Sequence, residues 1–176
     1  MRHSSPQATA SMMMPFHHTE RGDPVRSTLH ARVGSSYEPL LPDMLSSAPE
    51  TRLAGGLPGR HLLIEMHGAT GLDNPALIEE AFRRAIVAAG ATLLHLHLYV
   101  FTPLGGVTGT ASLAESHMSI HTWPEYGYAA LDIFMCGECN PRACLPDLIG
   151  ALRPAQVEIR EILRGAGVPC SAAGEI

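Results

Sequence analysis

The sequence predicts an α+β fold, a two-layer α/β sandwich whose antiparallel-rich sheet carries two helices on one face. Three observations predict it. Strand-like segments recur from residue 60 onward, and apolar residues alternate most clearly over 91–102, ATLLHLHLYVFT. A helical segment with both of its ends marked lies between the first two strands, over 74–90. A second helical stretch, 143–152, precedes the last strand.

A chain of 176 residues has room for one domain with a sizeable core. At 45% hydrophobic and 16% charged it has an ordinary globular composition, which excludes wholesale disorder. The formal net charge is −5 and no Lys/Arg cluster occurs, so a nucleic-acid surface is excluded. The apolar runs are too short to span a membrane, and the first residues, MRHSSPQATASMMMP, lack the apolar core of a secretory signal. A cytoplasmic location is therefore expected. In that compartment Cys136, Cys139, Cys144 and Cys170 are expected to be free thiols and not a disulfide framework.

The elements follow in order. Residues 1–58, rich in Pro, Ser, Gly and Met, show no sustained period and read as a mostly flexible leader of unknown role; the domain is 59–176. Residues 60–67, RHLLIEMH, read as a strand. Asn74 is an N-cap followed by Pro75 in the first turn, with Glu79 and Glu80 near the positive end of the helix dipole. Leu77, Ile78, Phe82, Ala85 and Ile86 share one helix face, and Gly90 closes the helix in the left-handed region. After the strand at 91–102, Pro103-Leu104-Gly105-Gly106 makes a turn. Residues 107–115 and 117–123 read as two strands with Glu115-Ser116 at the kink between them. A hairpin centred near Glu125-Tyr126-Gly127 leads into a strand at 128–136. The second helix, 143–152, is weakened by Pro146, and 156–163 is the last strand.

Residues 112–137, SLAESHMSIHTWPEYGYAALDIFMCG, hold most of the chemistry. Glu115-Ser116-His117 places a hydroxyl nucleophile in a turn. In an extended segment His117, Ser119 and His121 share a face, and the next strand folds Cys136 back alongside. A nucleophile, an acid/base group and a thiol are thus expected to meet across adjacent strands. On spacing alone, a structural role for such a set outweighs a catalytic one.

The run ESHMSIHTWPEYGYAALDIFMCG, with GVTG at 106–109, resembles the prokaryotic S-adenosylmethionine decarboxylase proenzyme family, a pyruvoyl-dependent group. The resemblance covers roughly 59–165. It implies that the chain cuts itself between Glu115 and Ser116: the Ser116 hydroxyl attacks the Glu115 carbonyl, and β-elimination leaves a pyruvoyl group made from Ser116. That group forms a Schiff base with the substrate amine and acts as an electron sink when carbon dioxide leaves. By the same resemblance His121 and Thr108 serve the processing step, and Cys136 returns a proton to the product. Glu125 holds the substrate ribose, Phe101 stacks on adenine, and His117 sits beside the pyruvoyl group. The implied substrate is S-adenosylmethionine, the product an aminopropyl donor for spermidine, and the active unit a homodimer of cleaved pairs with both protomers contributing to each site.

Three positions depart from the family pattern. Tyr99-Val100 stands where a polar pair containing His is usual, the Pro103-Leu104-Gly105 turn is one residue longer, and Met135 replaces the common Thr before the cysteine. They surround the substrate pocket, so a pyruvoyl-dependent ornithine or arginine decarboxylase is an alternative. A non-processing regulatory partner is a second. Cys136-x2-Cys139-x4-Cys144 invites a zinc reading, with His95 and His97, alternating on one strand face, as further candidate ligands, but no second ligand pair at matching spacing is in view, so no metal is expected. Trp123, Tyr126 and Tyr128 read as hairpin packing.

Overall fold

The computed structural model describes residues 59–165 and one further strand, Ser27–Arg32. Its sheet has seven strands, β1 (Ser27–Arg32), β2 (Gly59–His67), β3 (Leu93–Val100), β4 (Val107–Leu113), β5 (Ser116–Trp123), β6 (Tyr128–Met135) and β7 (Gln156–Arg164). Helix α1 (Pro75–Ala88) lies between β2 and β3, and α2 (Leu145–Leu152) lies between β6 and β7. The sheet order is β1-β7-β2-β6-β5-β4-β3, and every pair is antiparallel. The predicted sandwich is what forms.

Reading 1–58 wholly as a leader overlooked β1, which pairs with β7 from Ser27 opposite Glu161 to Arg32 opposite Gln156. The six residues STLHAR carry little period of their own; the free edge of β7 supplies the pairing. The rest of 1–58 lies outside the described residues, as does Cys170.

Two helix details also differ from expectation. Asn74 caps α1 as predicted, its Oδ1 accepting from the Leu77 N–H at 3.1 Å. Glu79 and Glu80, however, lie past the first turn, beyond the reach of the dipole, and pair four residues on with Arg83 and Arg84. Pro146 does not weaken α2. A 3₁₀ turn, Pro141–Cys144, feeds directly into the helix, so Pro146 falls in the first turn, where its missing N–H has no partner to lose.

Ile78, Phe82 and Ile86 of α1 and Leu145, Leu148 and Leu152 of α2 pack in one cluster with Leu62, Ile64, Ile120, Leu131 and Ile159 of the sheet. Both helices therefore cover the same face. The alternate residues form the opposite face, among them His61, His117, Ser119, His121, Asp132 and Phe134. Among the described residues no helix covers it. A buried ion pair, Arg142 to Glu161 at 2.5 and 2.8 Å, ties the segment after Cys136 to β7, and Arg60 of β2 joins the same carboxylate at 3.1 Å.

Candidate active site

The residues singled out by sequence fall at the two ends of β5. At its head, Leu113 of β4 pairs with Ser116, leaving Ala114-Glu115 as a two-residue turn. Ser116 has φ of +149°, a backbone region that costs a residue with a Cβ on the order of 1–3 kcal/mol. The surroundings hold it there. The Glu115 carboxylate accepts from the Thr92 N–H at 2.9 Å, and the Ala114 N–H donates to the Thr92 carbonyl at 3.0 Å. The Glu115 carbonyl oxygen accepts twice from one residue, from the Cys136 N–H at 3.1 Å and from its thiol at 3.0 Å. Ser116 Oγ lies 3.1 Å from His117 Nδ1. A strained peptide with two donors on its carbonyl and a nucleophile beside an imidazole is arranged for acyl transfer.

At the far end of β5, Thr108 pairs with His121, and Thr108 Oγ1 is 2.7 Å from His121 Nδ1. The GVTG run explains how β4 reaches this position. A Cβ on Gly106 would stand 2.9 Å from the Thr122 carbonyl oxygen, and one on Gly109 would stand 2.8 Å from that of His97. Only glycines admit such close strands. The buried Thr122 hydroxyl accepts from the Val107 N–H at 2.7 Å and donates to the Leu72 carbonyl at 2.8 Å, locking the strand ends. Thr108, His121, Phe101, Leu104, Trp123 and Glu125 line a cavity of about 230 Å³. Phe101 is 53% exposed, so it is not a core residue.

One expectation fails here. Ser116 and Cys136 do meet, through the Glu115 carbonyl, but His121 does not join them within the chain. His117, Ser119 and His121 share a face as predicted, yet an extended strand advances about 3.3 Å per residue, which puts His121 about 16 Å from Ser116. Sharing a face is not proximity.

The sequence reading missed a polar group on the open face. His61 Nε2 lies 3.3 Å from Asp132 Oδ1, and the Ser119 hydroxyl donates to Asp132 Oδ2 at 3.2 Å. The His61 and His117 rings meet edge-on at 6.3 Å, with Phe134 against both. Burial lowers the His61 pKa against the opposing pull of Asp132. A carboxylate within the apolar strand AALDIFM was the available signal, but its partner emerges only from the β2–β6 register. Tyr128 donates to Glu65, and burial together with that carboxylate pushes its hydroxyl up to about 12. Among the described residues no three His, Cys, Asp or Glu side chains converge as a metal site.

Comparison with known proteins fits this geometry. Residues 60–165 match the family described as S-adenosylmethionine decarboxylase. The chain belongs to that family. A Thermomicrobium roseum protein named S-adenosylmethionine decarboxylase proenzyme is 47% identical over 108 residues, covering 61% of this chain and 93% of its own. One of the same name from Methanococcus aeolicus is 48% identical over 113 residues, 62% of this chain and 96% of its own. The crystal structure of the adenosylmethionine decarboxylase from Aquifex aeolicus superposes with a TM-score of 0.56 at 34% identity, covering 62% of this chain and 92% of that one. The match to the S-adenosylmethionine decarboxylase family takes in both ends of β5 and all the candidate site residues.

Proposed function

We propose that this chain is a proenzyme that cuts itself between Glu115 and Ser116 and then, as the cut pair, removes carbon dioxide from S-adenosylmethionine to yield the aminopropyl donor for spermidine. The reaction is that of the family to which the chain belongs, and the enzyme is a carboxy-lyase. The observation that carries self-cleavage is the strained Ser116 behind a carbonyl that already accepts from the Cys136 N–H and thiol.

Attack of Ser116 Oγ on the Glu115 carbonyl carbon moves charge onto the oxygen those donors hold, and such donors gain most strength as charge develops. His117 Nδ1, 3.1 Å from Oγ, is placed to accept the hydroxyl proton. Collapse breaks the C–N bond as the nitrogen takes up the proton held by His117, leaving an ester and a free amine on Ser116 and relieving the strain at its φ. Removal of the Ser116 α-proton then expels the Glu115 carboxylate, and hydrolysis of the residue left at the new terminus releases ammonia and gives the pyruvoyl group.

The residues present fit that group: the serine to be converted heads a strand, is half-buried, and has the Cys136 thiol next to its preceding carbonyl. When formed, the group supplies the electron sink for decarboxylation. Cys136 holds the proton that the product carbon needs. Phe101 offers a flat face to adenine and Glu125 a carboxylate to the ribose hydroxyls, both at the 230 Å³ cavity. Aromatic groups at this cavity suit a nucleoside better than the side chain of ornithine or arginine.

His121 and Thr108 are the processing pair, and they act on the Ser116 of a second copy. A two-fold axis crossing the open sheet face near Ser119 sets Ser116 of one β5 over His121 of the other, so that the 16 Å gap (about five residues of strand) vanishes. The cavity alone is smaller than the roughly 300 Å³ at which ligand sites begin, and a facing copy would enlarge and close it. A cytoplasmic setting, in which thiols stay reduced, suits a site built on Cys136.

The decisive experiment is the intact mass of purified, denatured protein. Two chains, 1–115 and 116–176, with a carbonyl-blocked terminus on the second, are expected. Ser116→Ala should give one uncut, inactive chain; a cut Ser116→Ala protein refutes the proposal.

A further inference from the structure

The chain has a second thiol beside the reactive one, and the proposed reaction does not use it. Cys136 and Cys139 bracket a turn formed by Gly137-Glu138, with Gly137 at φ of +77°. A four-residue turn brings its first and last Cα atoms within about 7 Å, and disulfides span roughly 4.4–6.8 Å. Cys136 is exposed and Cys139 half-buried, and both are free. Each thiol donates to a backbone carbonyl, Cys136 to Glu115 at 3.0 Å and Cys139 to Gly90 at 3.2 Å. These acceptors lie on neighbouring stretches of chain, since Thr92, two residues past Gly90, is bonded to both Ala114 and Glu115. Cys144 contrasts with the pair. It is fully buried, and burial pushes its thiol up to about 12, which leaves it inert.

From this pairing we infer that Cys136 and Cys139 are a peroxide-sensitive modification site, a reversible disulfide that slows self-cleavage and switches off decarboxylation. In the first step the Cys136 sulfur attacks a peroxide oxygen; the O–O bond breaks, water leaves, and the sulfur becomes a sulfenic acid, oxidised by two electrons. In the second, the Cys139 sulfur attacks the sulfenic sulfur; the S–S bond forms, the S–O bond breaks, and the hydroxide leaves as water with the Cys139 proton. Two thiols and one peroxide give a disulfide and two waters, and a dithiol reverses the change. Burial first, then the nearby Glu115 and Cys136 charges, raise the Cys139 thiol, which suits it to be the resolving partner and not the first target. The linked Cys136 has neither the S–H that donates to Glu115 nor a proton for the product. Formation of the bond does not depend on the function proposed above, whereas its consequence rests on it.

The test uses the full chain, reduced and then exposed to hydrogen peroxide. Non-reducing mass analysis should find about 2 Da lost from the fragment carrying Cys136 and Cys139, with a peptide linking them, and dithiothreitol should restore both mass and activity. Cys139→Ser, with Cys139→Ala as a second variant, should cut itself and turn over normally. Under peroxide these variants should gain about 32 Da irreversibly as the sulfinic acid, with no loss of 2 Da. A wild-type protein that goes straight to the sulfinic acid, or that links Cys136 to Cys144 or Cys170, overturns the inference. A Cys136–Cys139 link in a protein with no decarboxylase activity at all would uphold the site and refute the proposed function instead.

Discussion

Cys136 touches the Glu115 carbonyl, at the proposed cleavage bond, through two atoms, and only one of them can be removed by mutation. Cys136→Ala deletes the thiol donor at 3.0 Å but keeps the backbone N–H at 3.1 Å. Loss of one donor from an oxyanion site typically costs about 10²–10³ in rate. Self-cleavage of Cys136→Ala should therefore slow by about that factor yet go to completion on long incubation, as followed by the appearance of the two chains on a denaturing gel. The completed enzyme should decarboxylate poorly, because the same thiol is the proposed proton donor. Normal cleavage with poor turnover would confine Cys136 to the second reaction; normal cleavage with normal turnover would remove it from both. At this scale much of the site was legible. The motif around Ser116 and the GVTG run pointed to the residues that lie at the two ends of β5, and the kink at Glu115-Ser116 was anticipated. The φ of Ser116, the double donation from Cys136 and the His61–Asp132 contact were not legible, because each depends on strand register that no local pattern encodes.

Among the elements, the β4–β5 hairpin presents the site, and the close approach of β3 behind it sets its position. Alternation and turn residues sufficed to find β2 through β7 and both helices, since each carries its own period or cap. They failed for β1, whose six residues gain order from an edge roughly three-quarters of the chain away. They also misplaced the role of Pro146, because the preceding 3₁₀ turn decides where the helix begins. Gly109 tests how tightly the hairpin is set. An added Cβ would meet Leu98 Cδ2 at 2.1 Å, which can swing away, and the His97 carbonyl oxygen at 2.8 Å, which cannot. Gly109→Ala should lower stability by about 1–3 kcal/mol, the usual range for overpacking, read as a fall in the urea midpoint with an unchanged slope. An unchanged midpoint would mean that β3 yields freely and that the glycine is not required by packing.

At the scale of the whole molecule, the two ends of β5 pose a question that one chain cannot answer. Ser116, His117 and Cys136 gather at one end, while Thr108 and His121, in hydrogen-bond contact with each other, stand about 16 Å away along the strand on the same open face. If His121 serves Ser116, it does so across a two-fold contact between copies, and the two functions are then separable by mutation. His121→Ala alone and Ser116→Ala alone should each stay uncut. In a mixed dimer, however, the His121→Ala chain has an intact Ser116 facing the intact His121 of the Ser116→Ala chain. Co-expression of the two, with different affinity tags, should therefore yield cut His121→Ala chains and uncut Ser116→Ala chains. Random pairing places about half of the His121→Ala chains in mixed dimers, which sets the ceiling on cutting. If every His121→Ala chain stays whole while mixed dimers are recovered through both tags, the pair acts within its own chain. The 16 Å gap would then have to close by rearrangement of the hairpin.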